Sequence, residues 1–300
     1  MKDLKHLIYF ESLLENANNE LVQKAQAEGN LALGYTCYHV PEALLNVGNC
    51  FSVRLRAPHT GSIDIATYYM SNYTCEFARA LVERGIEGGY QFLDAMIGVD
   101  ACSMMNRAME HFEILKVNEK PNFFVTHCDI PYKITDYTLD SYVKQMRIHV
   151  LDKLTEVYGV DTSDAAIRQA VAEHNEVCSI ISEMAEMRKA ENPVITGYEF
   201  HVINLVSYTC PKALILPYLR ETLKELKKRK PDEKSPFRAR VAIVGSEIDD
   251  PQLTKLIEGC GALVVSDRYC FGSTPGREVI ELKDDEDALR QICLHVMEHS

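Results

Sequence analysis

Short apolar runs alternate with amphipathic helical patterns over the first 130 residues of the chain. Four of these runs have the length and the flanking turn residues that are typical of buried strands. They are NLALGYTCYHV near residue 30, FSVRLRAP from Phe51, LDAMIGVDAC from Leu93 and NFFVTHC from Asn122. Because strands that alternate with helices form parallel sheets, we expect residues 1–134 to fold as an α/β domain.

A helical segment that ends in a linker is predicted for residues 135–236. Apolar residues recur at steps of three and four from Leu139 to Val157, before Gly159, and again from Ile167 to Met184. A third helical pattern is the charged stretch LRETLKELKKRK. The stretch RKPDEKSPF follows, with two prolines among charges and no periodic apolar residue, which indicates a linker between domains.

The last part of the chain, residues 237–300, has the pattern of a βαβ unit. RARVAIVGSEID and GALVVSDRYC are predicted strands, TKLIEGCG is the helix between them, and DDEDALRQICLHVMEHS is a final helix. A sheet of two strands leaves an edge and a face uncovered, so we expect this domain to be incomplete and the chain to be the front of a longer protein. The predicted architecture is α/β, with two Rossmann-like parallel-sheet domains that face a cleft and are joined by a helical segment.

Charge and composition narrow the class of protein. The 300 residues include 32 Lys and Arg against 44 Asp and Glu, a net charge of −12, without a basic stripe that could bind a phosphate backbone. A nucleic-acid partner is therefore not expected. Charges interrupt the apolar run at the N-terminus, which excludes a signal peptide and a membrane-spanning helix there. We expect a soluble, cytoplasmic protein that does not bind a membrane.

Ten cysteines are unusually many for a chain without an export signal, where thiols stay reduced. They occur singly, without a C-x-x-C pair, which excludes local zinc ribbons and the ferredoxin pattern. Cys37, Cys75 and Cys270 share one context, because each follows a predicted strand or opens the next helix. Ligands of open α/β sheets gather at such positions. The three thiols are therefore either ordinary buried cysteines or the ligands of a metal site that is assembled from distant parts of the fold.

Several longer segments carry a family resemblance. GYTCYHVPEAL, SNYTCEFARALVERGIEGGYQFLDAMIGVDAC and the region from VAIVGSEIDDP to VVSDRYCFG, in this order, resemble the 2-hydroxyacyl-CoA dehydratase component D family. That family also contains benzoyl-CoA reductase subunits and double-cubane cluster proteins. The resemblance spans about residues 25–280 and implies an oxygen-sensitive 4Fe-4S iron–sulfur cluster, single or double-cubane, held by cysteines of two Rossmann-like domains.

The resemblance also implies a ligand set. Cys37, in a cysteine-x-x-x-Pro-Glu arrangement, and Cys75 match the family pattern as cluster ligands. The third ligand is expected from the C-terminal domain, either Cys270 or a cysteine beyond Ser300, and Cys270 is our prediction. Three thiolates leave one iron with an exchangeable position, which substrate chemistry requires.

In the dehydratases, the resemblance implies that an ATP-hydrolysing activator supplies one electron. The electron passes through the cluster into the thioester carbonyl of a 2-hydroxyacyl-CoA, and the ketyl radical then expels the hydroxyl group to give an enoyl-CoA. A proton acceptor must stand near the substrate, and His39 and Glu42 are the predicted catalytic residues. The alternatives are a loop hydrogen bond for His39 and a first-turn helix carboxylate for Glu42.

Two further sequence features suggest sites for the CoA phosphates. Gly272 and Gly276 lie in FGSTPG, where short turns let backbone amides approach a phosphate. Arg54 and Arg56 alternate along the second predicted strand and, with His59 at its end, offer charge to a CoA phosphate or a partner subunit. We favour a solvated strand face for these arginines. The chain has no phosphate-binding loop for ATP, so the energy must come from the activator.

Three functions remain open. The first is the iron–sulfur subunit of a dehydratase that pairs with a homologous subunit. The second is a homodimeric reductase or electron-transfer protein of the double-cubane kind, for which Cys102 and Cys128 are spare ligands. The third is a cluster-free subunit that supports a catalytic partner.

Overall fold

The computed structural model of the chain describes residues 3–58, 60–232, 237–274 and 276–299, and its main sheet is the first one in the chain. It confirms the α/β class. Four strands form this parallel sheet in the order β2-β1-β3-β4. They are β1 (Leu31–Tyr35), β2 (Cys50–Arg54), β3 (Ala95–Val99) and β4 (Phe124–Cys128). The strand order reverses between β1 and β3, where the carboxyl edge of such a sheet opens a crevice for ligands.

Both faces of the first sheet are covered, as a parallel sheet requires. The helices of this region are α1 (Leu7–Leu13), α2 (Glu20–Ala27), a 3₁₀ helix (Glu42–Asn46), α3 (Asp64–Tyr69), α4 (Glu76–Ile86) and α5 (Ser103–Ile114). Alternate residues of β1 enter different cores: Ala32 joins the core with α4 and α5, whereas Leu33 and Tyr35 face the opposite side.

A helical segment follows, as the periodicity predicts. It contains α6 (Asp136–Gln145), a π-helical turn (Met146–Leu151), α7 (Asp152–Tyr158), α8 (Asp164–Met187), α9 (Gly197–Thr209) and α10 (Lys212–Leu226). Thr135 caps α6 by accepting the Thr138 N–H, and Gly159 ends α7 with φ +70°. The sequence pattern does not show α9, because every residue of that helix except Tyr198 is buried. No helix in the described ranges is long and apolar enough to cross a membrane.

The second sheet consists of β5 (Ala239–Val244) and β6 (Ala262–Arg268), which pair in parallel around α11 (Gln252–Gly259). Residues 233–236 of the predicted linker lie outside the described residues. Both α11 and β6 contact α9, and the Glu258 carboxylate accepts the N–H groups of Gly197 and Tyr198 at 2.8 and 3.0 Å. The second sheet is therefore docked onto the first turn of α9.

The chain after β6 returns to the first sheet. The last helix, α12 (Ala288–Glu298), packs against α6 and α8. Its residues Leu289 and Ile292 enter the same core as Tyr35 and Ile97 of the first sheet. On the way, Asn175 of α8 holds the backbone of Ile280 through two hydrogen bonds of 2.8 and 2.9 Å. The polypeptide therefore reaches the second sheet from the helical segment and leaves it toward the first core.

Substitution of Gly197 tests this docking. A Cβ at this position meets Val264 Cβ at 2.6 Å and the Val264 carbonyl oxygen at 2.7 Å, so β6 must shift away from α9. We expect Gly197→Ala to lower the free energy of unfolding by about 1–3 kcal/mol in urea titrations. Gly61→Ala, where a Cβ meets nothing within 4 Å, is the control and is expected to cause no loss. Equal stability of both variants would contradict the close contact.

Candidate functional site

The carboxyl edge of the first sheet carries two cysteines at the point where the strand order reverses. Cys37 lies two residues beyond β1, in a turn that the Val40 N–H closes onto the Cys37 carbonyl at 3.1 Å. Cys102 follows β3, is exposed and stands at the N-cap of α5. Because β1 and β3 are neighbouring parallel strands, these two loops rise from the same edge.

The second sheet presents its own carboxyl edge to this region. The Cys270 N–H donates to the Ser246 carbonyl at 2.8 Å, which joins the loops that follow β6 and β5. Burial raises the pKa of the Cys270 thiol to about 12, with further contributions from Glu247 and Cys37, while Arg54 opposes the shift. Burial likewise raises the pKa of Cys37 to about 11, and Arg54 again opposes it. Cys37 and Cys270 are thus electrostatic neighbours of Arg54 at the two sheet edges.

Cys75 lies at the N-cap of α4 and is partly buried, like Cys37 and Cys270. Its side chain caps no helix N–H among the described residues. Two residues later, Phe77 packs edge-on against Phe271, with ring centroids 6.0 Å apart. Since Phe271 is adjacent to Cys270 in the chain, the start of α4 adjoins the loop that carries Cys270.

Arg54, at the end of β2, is wholly buried, so our interpretation of a solvated strand face is wrong. Its Nε donates to the Thr36 carbonyl at 3.1 Å, and its guanidinium lies 4.0 Å from the centre of the Phe271 ring. Both terminal nitrogens, Nη1 and Nη2, lack a hydrogen-bond partner among the described residues. The cation is thus held between the residue before Cys37 and the residue after Cys270, with two of its nitrogens available as donors.

Arg56 is also buried, but it has protein acceptors. Its Nε donates to the Asp249 carbonyl at 2.7 Å and its Nη1 to the Leu14 carbonyl at 3.1 Å. It therefore ties the loop after β5 to the end of α1. His59, the third member of the predicted basic group, lies outside the described residues.

The donor set fits an iron–sulfur cluster. A buried cation without an acceptor is costly unless negative charge stands beside it, and Cys37 and Cys270 are close neighbours of Arg54. Burial raises the pKa of Glu247, while Arg54 and Cys270 oppose the shift, and Glu247 Oε2 has no hydrogen-bond partner among the described residues. Within the described ranges, no three His, Cys, Asp or Glu side chains are spaced to hold a single metal ion. A cubane holds its thiolates further apart than a single ion does, and it adds negative charge beside Arg54.

His39 stands in the same loop as Cys37. Burial lowers its pKa, and the positive charge of Arg54 lowers it further, so the imidazole is neutral at neutral pH. Its ring lies against Tyr38, with centroids 4.1 Å apart, and its Nδ1 has no partner among the described residues. A neutral imidazole with an unused nitrogen is suited to accept a proton.

Glu42 begins the 3₁₀ helix and is 6% exposed. Its Oε1 accepts hydrogen bonds from Lys212 Nζ and the Tyr35 hydroxyl, both at 2.7 Å. Burial acts to raise the pKa of Glu42, but Lys212 and then His174 hold it well below its usual range. The catalytic role of Glu42 stays a prediction, and the observed partners give this carboxylate a structural role in joining α10 to the first sheet.

Sequence reasoning missed His174 and Cys178, which extend this buried network. His174 Nδ1 lies 3.5 Å from Glu42 Oε2, and its Nε2 lies 3.3 Å from Cys178 Sγ. Burial acts to lower the pKa of His174, but Cys178 and Glu42 raise it to about 9. The available signal was the spacing of four residues, which places a histidine and a cysteine on one face of α8.

Two cavities border the network. One of about 40 Å³ is lined by residues that include Tyr38, Glu42, His174 and Gly276, and it holds no more than a water or two. A larger cavity of about 360 Å³ opens at the amino edge of the first sheet, beside Lys212, and no predicted cluster ligand lines it among the described residues. Neither cavity is lined by Cys37, Cys75 or Cys270.

The two glycines of the predicted phosphate turn have structural explanations. A Cβ at Gly272 meets Asp267 Oδ1 at 2.5 Å, so this residue lets the loop fold over Asp267. Gly276 has φ +71°, which favours glycine, and its Cα faces Tyr38 in the loop of Cys37. The loop after Cys270 thus covers the loop of Cys37.

Comparison of the sequence with known proteins identifies the family of this chain. The family model for the 2-hydroxyglutaryl-CoA dehydratase D-component matches residues 37–300. The chain belongs to this family. The match begins at Cys37 and includes every predicted cluster ligand, which confirms the family resemblance.

Three curated relatives are similar at low identity. The (R)-phenyllactyl-CoA dehydratase beta subunit of Clostridium sporogenes is 19% identical over 86% of this chain and 67% of its own length. A benzoyl-CoA reductase subunit of Thauera aromatica is 20% identical over 79% of this chain and 61% of its own length. The beta subunit of (R)-2-hydroxyglutaryl-CoA dehydratase of Acidaminococcus fermentans is 21% identical over 69% and 54%. The chain thus spans between about half and two thirds of these relatives, which are subunits of dehydratases or of a reductase.

The ion pair of Glu42 and Lys212 gives a first prediction for this site. Lys212→Met leaves a buried carboxylate without its main cation, and we expect a loss of about 3–5 kcal/mol in the free energy of unfolding. The double variant Glu42→Gln/Lys212→Met removes both charges and is expected to recover more than half of that loss. Lys227→Met breaks an exposed pair with Glu183 and serves as the control, with a loss below about 1 kcal/mol. A double variant as unstable as the single one would show that the charges are not coupled.

The depressed pKa of Glu42 gives a second prediction, for acid pH. The folded protein holds this carboxyl ionised to lower pH than the unfolded chain does. Its contribution to stability is therefore present above the ordinary pKa of about 4.5 and is lost as the pH falls through the folded value. We expect the double variant to lose less stability than the wild type between about pH 6 and about pH 3 in urea titrations. Glu183→Gln, at the exposed pair, should keep the wild-type acid dependence.

Proposed function

We propose that this chain is the iron–sulfur subunit of a 2-hydroxyacyl-CoA dehydratase, which removes water from a 2-hydroxyacyl-CoA thioester. The electron that starts the reaction comes from a separate ATP-hydrolysing activator. The observation that supports the proposal is a buried guanidinium that lies between the residue before Cys37 and the residue after Cys270 and whose terminal nitrogens have no acceptor among the described residues. Membership in the dehydratase D-component family supports the reaction class.

In this proposal Cys37, Cys75 and Cys270 hold a 4Fe-4S cluster. When bound, the cluster supplies a one-electron donor and a Lewis-acidic iron with an open position. The thiols must lose their protons on binding, and the raised pKa values of Cys37 and Cys270 mean that binding becomes stronger as the pH rises. The partly buried position of the three sulfurs leaves one side of the site open for a thioester.

The chain's other residues orient the substrate and move protons. His39, neutral and with Nδ1 unused among the described residues, accepts the proton that the substrate loses after the hydroxyl group departs. Phe271 and Tyr208 form the apolar wall behind Arg54 and exclude water from the inner side of the site. Glu42 holds the 3₁₀ helix that follows the Cys37 loop, through its pair with Lys212.

The relatives are named as subunits, and a second polypeptide is expected here as well. We propose a homologous dehydratase subunit that closes the open side of the site, with a second copy of this chain as the alternative. The ten free thiols and an oxygen-sensitive cofactor require the reducing interior of an anaerobic cell.

A reductase is the second candidate function. Similarity to the benzoyl-CoA reductase subunit of Thauera aromatica supports it, as does Cys102, an exposed thiol at the N-cap of α5 on the same sheet edge as Cys37. Cys128, by contrast, is 1% exposed at the end of β4. In a double-cubane reductase, Cys102 would hold part of a second cluster.

Iron and acid-labile sulfide, measured after anaerobic reconstitution, test these proposals. We expect about four irons per chain for a single cubane and about eight for a double one. Cys37→Ala, Cys75→Ala and Cys270→Ala should each lose most of the iron, because three thiolates are the whole ligand set. Cys260→Ala, at an exposed thiol after α11, is the matched control and should keep it.

The outcomes separate the candidates. A well-folded wild type without iron would leave a cluster-free supporting subunit as the function. Loss of half the iron in Cys102→Ala, from a total of about eight, would favour the reductase. Full iron in Cys37→Ala would overturn the assigned ligand set.

A further inference from the structure

We infer that Arg54 is the residue that sets the charge balance of the cluster site, by donating Nη1 and Nη2 to the cluster or to its cysteine thiolates. The inference rests on the proposed function and adds to it. It assigns to one residue of β2 the task of favouring the reduced state. Arg54 is not a ligand, and neither the family match nor the relatives give it a role.

The geometry directs the guanidinium of Arg54 toward the cysteines. The side chain is fully buried, and Nε is fixed on the Thr36 carbonyl at 3.1 Å. The cation lies over Phe271 at 4.0 Å and near Tyr208 at 4.9 Å, so aromatic rings cover it without accepting its hydrogen bonds. Two of its nitrogens remain without an acceptor among the described residues, in a region where Cys37 and Cys270 are neighbouring groups able to become anions.

Two other buried arginines of this chain form ion pairs with carboxylates. Arg188 donates to the Asp267 carboxylate at 2.7 Å, and Arg229 donates to the Glu199 carboxylate at 2.8 Å. For Arg54 no carboxylate accepts from the guanidinium within the described residues: Glu247 is an electrostatic neighbour, but neither Nη1 nor Nη2 has a hydrogen-bond partner there. These two nitrogens are therefore free to donate to an anion that is supplied from outside the polypeptide.

The charge of Arg54 affects the reduction potential of the cluster. One-electron reduction adds one negative charge to a cluster, and a buried cation beside it stabilises the reduced form more than the oxidised form. Hydrogen bonds from the guanidinium to sulfur act in the same direction. Arg54 therefore raises the midpoint potential and makes the first electron easier to deliver.

The test compares neutral and charged replacements of Arg54 in the reconstituted protein. Arg54→Met keeps the packing over Phe271 and removes the charge, and Arg54→Gln repeats the loss of charge with a polar side chain. For both we expect a more negative midpoint potential in titrations followed by electron paramagnetic resonance, together with faster loss of iron to a chelator. Arg54→Lys keeps the charge and should stay closer to the wild type.

The cluster-free protein gives a second readout, which does not depend on iron. Without the cluster, Nη1 and Nη2 of Arg54 are buried without a hydrogen-bond acceptor among the described residues, so Arg54→Met should leave the midpoint of urea unfolding unchanged or raise it. Arg229→Met, the control, breaks a buried ion pair and should lower that midpoint while leaving the potential of the loaded protein unchanged.

The results separate a failure of the proposed function from a failure of the role assigned to Arg54. If the wild type holds no iron, the proposed function fails. If the wild type holds iron and the neutral variants of Arg54 keep its potential, only the assignment of Arg54 is overturned. A fall in cluster-free stability for Arg54→Met as large as that for Arg229→Met would also overturn it, because it would show a structural role.

Discussion

The buried pair of Glu42 and Lys212 is the interaction on which the arrangement of the site depends. It joins the 3₁₀ helix that follows the Cys37 loop to the first residue of α10, deep between the first sheet and the helical segment. A buried ion pair is stable only when its two charged groups stay in contact, because separating them leaves two unpaired charges in a medium of low polarity. The loop of Cys37 is therefore anchored from the interior, whereas Cys37 itself is only partly buried.

Much of the fold follows from the sequence, and the exceptions have physical reasons. The strands, the Thr135 cap, the stop at Gly159 and the βαβ unit after the linker are all predicted from local signals that act over a few residues. Helix α9 is not, because a helix buried on nearly all sides has no polar face and so no period. The packing of α12 on the first sheet is not predicted either, since periodicity identifies a buried face but not the surface that covers it.

The residues of the site likewise divide into those that the sequence suggests and those that it does not. Strand ends suggest Cys37 and Cys270, and in the structure Arg54 contacts the neighbours of both, Thr36 and Phe271. The interpretation of Arg54 is wrong because alternation of charge along a strand is typical of a solvated face, while this arginine is enclosed by rings from α9 and the Cys270 loop. Lys212 gives no signal, and the spacing of His174 and Cys178 does not identify their partner, because Glu42 lies more than 100 residues away in the chain.

Because the chain returns to the first core after β6, the second sheet is an insert that is connected on both sides and not a lobe that is attached by a single hinge. One end of the insert is fixed by the contact of α9 with β6, and the other by Asn175 and then by α12 in the first core. An element that is tethered at both ends has little freedom to swing. The polypeptide thus fixes the relative position of the two sheet edges that carry the cysteines before any cofactor binds. The conformational entropy that is lost when the site forms is therefore lost during folding rather than during cofactor binding.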